Sequence, residues 1–176
     1  MRIVAGSSRG RRLVVPQGTD VRPTSDRVRE SVFNALYSLD DAVDGADVLD
    51  LFAGTGALGL EALSRGAAHV TFVESNREAA AALTTNIDAL GFGADSTVIR
   101  TDALRWLSRS VDFDIALLDP PYAFAEWDSV FSKLSAGLAV VESDRSIELP
   151  QGWGLVRERR YGTTVVQILR SLATLE

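Results

Sequence analysis

The sequence predicts an α/β fold: a seven-stranded, mostly parallel sheet with helices on both faces, preceded by a small hairpin-and-helix extension. Three observations carry that prediction. From residue 45 onward, apolar strand-like runs alternate with stretches of helical periodicity, the mark of strand–helix–strand units. The runs are apolar throughout rather than alternating, as in strands buried on both faces. And 176 residues, 46% of them hydrophobic, suffice for one compact core.

Before residue 45, "RIVAG" and "RRLVV" flank "SSRG", which reads as two short strands joined by a serine- and glycine-bearing turn. "VRPT" breaks the pattern. "SDRVRESVFNALYSL" then sets Val28, Val32, Phe33 and Leu36 on one helical face, behind a cap at Thr24 or Ser25. Residues 1–44 are therefore expected to form an arginine-rich extension and residues 45–176 the main domain. In that domain "DVLDLF" is a strand and "ALGLEALSRG" a helix that stops at Gly66. "HVTFVE" is a strand and "NREAAAALTTNIDALG" a long helix that stops at Gly91. "STVIRT" is followed by the short helix "DALRWLS", and "FDIALLD" by the helix "AEWDSVFSKLSAG". "LAVVES" is a strand, and "WGLVRERRYG" with "TTVVQILRSL" closes the chain as an antiparallel hairpin at one sheet edge.

Charge is unevenly spread. The formal net is −6, which taken alone argues against a nucleic-acid binder. Residues 1–29, however, hold Arg2, Arg9, Arg11, Arg12, Arg22, Arg27 and Arg29 against Asp20 and Asp26, a net of +5 that leaves −11 for the rest. A basic arm on an acidic body suits an anionic partner for the arm and a cationic ligand for the body. The sequence has no cysteine, so disulfides, thiolate zinc sites and a cysteine nucleophile are excluded. No apolar run approaches the ~20 residues of a membrane span, and no secretory signal is recognisable at the start. The expectation is a soluble cytoplasmic protein that acts as a monomer without a metal.

Chemistry gathers at the strand ends. Gly54, Gly56 and Gly59 have the G-x-G-x-x-G spacing between a strand and a helix, where glycines permit a tight turn and close approach of a ligand. Glu74 ends the second strand, 20 residues after Gly54, placed to grip a ribose. Asp50 sits four residues before Gly54, near the end of the first strand. It would repel the pyrophosphate of a dinucleotide but attract a sulfonium or an ammonium, which favours S-adenosylmethionine. Asp102 could accept from an adenine amino group. For Asp50 and Asp102 the competing expectation is a helix cap.

In a sheet ordered 3-2-1-4-5, strands 1 and 4 adjoin and ligands bind outside their carboxyl ends. Phe52 and "DPPY" would then face one crevice. Asp119 and the carbonyl of Pro120 can each accept one N–H of a conjugated amine, aiming its lone pair at a methyl group. Pro120 and Pro121 fix the backbone and donate no competing N–H. Tyr122 offers a ring for a flipped base. His69 opens the second strand at the opposite end and reads as structural. Trp106, Trp127 and Trp153 read as packing residues.

"VLDLFAGTGALGLEAL", "VES", "DIALLDPPY" and the opening "MRIVAGSSRGRRLVVP…VRPTSDRVRESVFNAL" together resemble the RsmD family. These are class I, S-adenosylmethionine-dependent methyltransferases of Rossmann-like fold that modify guanine N2 in small-subunit 16S ribosomal RNA. The resemblance covers nearly the whole chain. "DPPY" alone would also suit adenine-N6 and protein-glutamine methyltransferases, whereas Arg22 to Glu30 is more discriminating. The resemblance implies the guanine at rRNA position 966 as target, on the small subunit or a late precursor. It also implies cofactor contacts from Asp50, Gly54, Gly56, Glu74 and Asp102, and base contacts from Asp119, Pro120 and Tyr122. Thr24 and Arg27 would lie near cofactor or base. Position 119 holds Asp where such enzymes commonly have Asn; both supply an oxygen acceptor. RNA would be held by Arg2, Arg9, Arg11, Arg12, Arg22 and Arg27. Rival readings are an adenine-N6 methyltransferase, a nicotinamide-dependent oxidoreductase and a non-catalytic RNA-binding assembly factor.

Overall fold

A computed structural model of the chain describes residues 1–16, 25–39 and 41–173. Seven strands form one sheet: β1 (Asp47–Asp50), β2 (His69–Val73), β3 (Ser96–Ile99), β4 (Asp112–Leu118), β5 (Ser135–Ser143), β6 (Trp153–Tyr161) and β7 (Thr164–Ser171). Their order is β3-β2-β1-β4-β5-β7-β6. The first five strands are parallel, and β7 lies antiparallel between β5 and β6. Every crossover between parallel strands therefore carries a helix, and the sheet is covered on both sides.

Helices α1 (Asp26–Tyr37), α2 (Ala57–Ser64) and α3 (Arg77–Leu90) pack on one face, where Val28, Leu36, Leu60 and Leu83 meet Val48, Phe72, Leu117 and Val166. Helices α4 (Ala103–Trp106) and α5 (Trp127–Phe131) cover the other, around Leu49, Leu118, Val141 and Leu169. Caps set the helix ends: Ser25 accepts from Val28 N at 3.2 Å to start α1, and Asn76 from Glu78 N and Ala79 N to start α3. Gly91, with φ +77, stops α3 as expected.

Two expectations are corrected. The stretches "RIVAG" and "RRLVV" do not form strands. They meet in a single antiparallel bridge, Arg2 with Arg12, because the next N–H groups turn away from the hairpin. Val4 N and Ala5 N donate to the two carboxylate oxygens of Glu61 in α2, at 2.7 and 3.0 Å. The helix expected over residues 125–137 is also shorter, spanning Trp127–Phe131 only. Residues Ser135 and Ala136 instead pair with Asp112 and Phe113, so β5 begins three residues earlier than its apolar run suggests. Sheet pairing satisfies their backbone, which outweighs the helical pattern of their side chains.

Candidate active site

The carboxyl ends of β1, β2, β4 and β5 meet at one cavity of about 820 Å³. Its size suits a ligand of nucleoside-cofactor dimensions. Asp50, Phe52, Gly54, Glu74, Asp102, Asp119, Pro120 and Tyr122 all line it. Gly56 does not. It sits at the start of α2 with φ +85, where a Cβ would stand 2.3 Å from Leu83 Cδ1. Thr24 and Arg22 lie outside the described residues.

Each carboxylate has a structural partner as well as a place in the cavity. Asp50 is 1% exposed and its Oδ2 accepts from Gly59 N at 2.9 Å, so a residue of β1 caps the first turn of α2. Gly56, the residue at the cap position, has no side chain to do so. Burial pushes the Asp50 carboxyl up to about 7; the Gly59 hydrogen bond opposes that rise, while the nearby Asp119 and Glu74 charges reinforce it. Glu74 accepts from Gly54 N at 2.7 Å and Asn76 N at 2.6 Å, fastening the glycine turn to the end of β2. Each of its oxygens retains a second lone pair for a ligand hydroxyl. Asp102 caps α4, accepting from Arg105 N at 3.0 Å. The cap expectation is met for both aspartates without removing either from the cavity.

"DPPY" follows β4 directly. Pro120 is buried, and the turn beyond it is closed by Phe124 N donating to Pro121 O at 2.8 Å. Among the described residues no backbone N–H takes the Pro120 carbonyl. Phe52 packs edge-on against Phe124, which packs edge-on against Trp127, with centroids 5.2 and 5.1 Å apart. That aromatic stack supports the loop from below, so Trp127 is a packing residue. Trp106 and Trp153 are buried, and His69 bonds Thr97 Oγ1 at the other end of β2.

Sequence reasoning missed Met1, Thr101 and Glu142 in the lining. Met1 arrives by the folding of the arm over α2, which no local pattern reveals; its sulfur stands 3.9 Å from Thr55 Oγ1. Glu142 was findable. "VVES" ends β5 as "FVES" ends β2, a carboxylate closing an apolar parallel strand. Six carboxylates line the cavity, from Asp50, Glu74, Glu78, Asp102, Asp119 and Glu142, with no arginine, lysine or histidine among the described lining residues. Such a cavity rejects a pyrophosphate and favours a cation.

The expected arginines are dispersed. Arg2 Nε pairs with Asp26 at 3.0 Å, and Arg12 faces it across the bridge. Arg11 Nη2 donates to Ala89 O at 2.5 Å. Arg9 and Arg27 are exposed.

The sheet order, the glycine turn and the acidic cavity define a Rossmann-like fold of the class I methyltransferase type. The family described as "Conserved hypothetical protein 95" matches residues 1–170, and the chain belongs to this family, the RsmD family. Among curated relatives, "Ribosomal RNA small subunit methyltransferase D" of Escherichia coli (strain K12) is 35% identical over 179 residues, spanning 96% of this chain and 88% of the relative. A Bacillus subtilis (strain 168) protein provisionally named an rRNA methyltransferase, YlbH, is 38% identical over 184 residues, spanning 97% and 98%. A solved Escherichia coli structure described as a methyltransferase, yhhF, superposes with TM-score 0.87 at 36% identity, covering 99% of both chains.

Proposed function

We propose that the protein is an S-adenosylmethionine-dependent rRNA methyltransferase acting on the exocyclic N2 amine of a guanine in 16S ribosomal RNA, with position 966 as its target. The observation that carries this reading is the placement of Asp119 and the Pro120 carbonyl, side by side at the end of β4, in a cavity lined by carboxylates and glycine backbone. Membership of the RsmD family, and relatives named for small-subunit rRNA methylation, support the substrate class.

The residues present fit the cofactor. Glu74 would hold the ribose hydroxyls, Asp102 the adenine amine, and the buried Asp50 the cationic end. When bound, S-adenosylmethionine supplies a methyl group on a positively charged sulfur, open to in-line attack. The chain itself orients the amine. Asp119 and the Pro120 carbonyl accept one N–H each, which turns the nitrogen lone pair out of conjugation and toward the cofactor side. Asp119 then takes the surplus proton. Tyr122, 37% exposed at the mouth, stacks on the base.

Glu142 favours guanine over adenine. Leu118 pairs with Val141, so Asp119 and Glu142 stand beside each other on adjacent strands with side chains on one face. A second carboxylate next to the amine-binding pair suits the N1–H donor of guanine, whereas adenine presents a bare nitrogen there. The partner is the small ribosomal subunit or a late precursor.

The test supplies methyl-labelled S-adenosylmethionine and unmodified small subunits, then identifies the labelled nucleoside by mass. N2-methylguanosine is expected. N6-methyladenosine would move the substrate to adenine, and cofactor binding without label would replace catalysis by an assembly role.

A further inference from the structure

Arg9 and Arg11, in the turn of the N-terminal arm, do not stand at the crevice. The turn of the arm is tied to the carboxyl ends of α2 and α3, by Ser7 N donating to Ser64 O at 2.7 Å and Arg11 to Ala89 O. Both helices start at the carboxyl ends of their strands and run back. Arg9 and Arg11 therefore stand at the far end of the molecule, at least one α2 length, ~12 Å, from the crevice. The crevice itself is lined with acids. An RNA strand that presents a base there carries phosphates on both sides of it, and those need cations at the rim.

The β6–β7 hairpin has them. Between Trp153 and Ser171 the sequence holds Arg157, Arg159, Arg160 and Arg170 against Glu158 alone, a net of +3 inside the acidic part of the chain. Ser143, the last residue of β5, pairs with Val165, so the hairpin turn lies at the crevice end of the sheet. Glu142 pairs with Val166, and Val166 with Arg159. Glu142, Val166 and Arg159 thus form one row across three strands on the face that α1 covers, and Asp119, the residue after Leu118, continues that row just past the end of β4. At ~4.8 Å per strand, Arg159 is about 14 Å from Asp119. Arg157 is two residues along the same face.

α1 completes the corner. Ser31 meets the Tyr161 hydroxyl, and Arg27, one turn nearer the crevice on the same side of α1, is exposed. None of Arg27, Arg157 and Arg159 pairs with a carboxylate among the described residues.

We propose that Arg157, Arg159 and Arg27 form a phosphate-binding strip beside the crevice, which holds the RNA backbone next to the target guanine while the turn of the arm, with Arg9 and Arg11, makes a more distant contact. This deepens the reading of RNA as substrate and rests on it. Charges on an edge strand also deter edge-to-edge pairing, but that purpose is indifferent to their sign and face. Here Arg157, Arg159 and Arg170 share the α1 face, and the acid Glu158 lies on the other.

The experiment titrates the full chain, loaded with S-adenosylmethionine, onto unmodified small ribosomal subunits at rising salt. Wild type is compared with Arg157→Glu/Arg159→Glu, with Arg157→Lys/Arg159→Lys, and with Arg9→Glu/Arg11→Glu/Arg12→Glu. The β6 reversal is expected to lower the slope of log affinity against log salt by about 1.5, two phosphate contacts at roughly 0.7–0.9 each. Affinity at low salt should fall by about tenfold or more, with cofactor affinity and melting temperature those of wild type. The lysine pair should keep the slope. An unchanged slope in the β6 reversal, or a change confined to the arm variant, would overturn the proposal. Wild-type binding without methyl transfer would instead sink the catalytic reading and leave the strip standing.

Discussion

Asp50 and Asp119 share one cavity but are asked to do different things, and their surroundings separate them. Asp50 is fully buried, with one oxygen committed to α2, and its carboxyl is pushed up to about 7 by that burial, against the Gly59 hydrogen bond and with help from Asp119 and Glu74. A cation arriving in the cavity favours the ionised form, so cofactor binding should release a proton in the range just below pH 7. Affinity measured by calorimetry should rise between pH 5.5 and 7, and Asp50→Asn should bind more weakly and flatten that rise. The same shift has a consequence for the empty protein. Its raised folded-state value means stability is fully present below the ordinary carboxylate range and declines as pH rises through about 7. Melting temperature against pH should show that decline, and Asp50→Asn should remove it. In the proposed reaction Asp119 answers to the amine instead. Asp119→Ala should lower methyl transfer by about a hundredfold or more while cofactor affinity stays within about threefold. A matching loss of cofactor affinity would reassign Asp119 to the cofactor. The place of both residues in the cavity was legible in the sequence because each stands at or near the end of an apolar strand, where a carboxylate has no packing reason to be. Glu142 obeys the same rule.

At the scale of elements, α2 is held to the sheet by absence of side chain. A Cβ on Gly59 would stand 2.3 Å from Phe72 Cε1 and 2.9 Å from Val70 Cγ1, both fixed in the core of β2. Gly59→Ala should therefore cost about 1–3 kcal/mol in chemical denaturation, despite the better helix propensity of alanine. It should also loosen the Gly59 N–H that Asp50 accepts, a bond that opposes the rise of the buried carboxyl, so the pH dependence of stability ought to grow with it. The glycine spacing announced this turn, but which glycine serves the ligand and which serves packing needed the neighbours. Gly54 lines the cavity, Gly56 supplies a left-handed cap, and Gly59 supplies closeness. α1 shows a similar division. Arg29 is 0% exposed, donating to Arg2 O at 2.6 Å and to Asp26 Oδ1 at 2.7 Å, although its place in the pattern is that of one more basic residue on an arginine-rich arm. Burial alone would raise the Asp26 carboxyl, but Arg2 and Arg29 together hold it below its usual range. Its contribution is thus present above the ordinary carboxylate range and lost as pH falls. Asp26→Asn should destabilise by about 1–2 kcal/mol, since half-exposure of Asp26 screens the pair.

The whole molecule shares one core between arm and sheet. Ile3 and Leu13 of the arm join Val28, Phe33 and Leu36 of α1 in the same cluster as Val48, Leu60 and Phe72. The sharper link is polar. Glu61 is 0% exposed in the middle of α2, and its carboxylate is met by Val4 N, Ala5 N and Arg65 Nε. In the sequence Glu61 is an acid at an apolar helical position, and Arg65 one turn on accounts for only part of it, because its two other partners are backbone groups more than fifty residues away. Removing residues 1–16 would expose the core beneath Ile3 and Leu13 and strip two backbone donors from a buried charge. At about 1.5–3 kcal/mol for each side chain and each charged hydrogen bond, the loss is about 6–12 kcal/mol. That is comparable with the total stability of a domain. The truncated chain should therefore lose its cooperative melting transition along with cofactor binding, whereas charge reversal at Arg9, Arg11 and Arg12 should leave both in place. A truncated chain that melted cooperatively and bound cofactor would show that the arm is an appendage, and that Glu61 finds other partners without it.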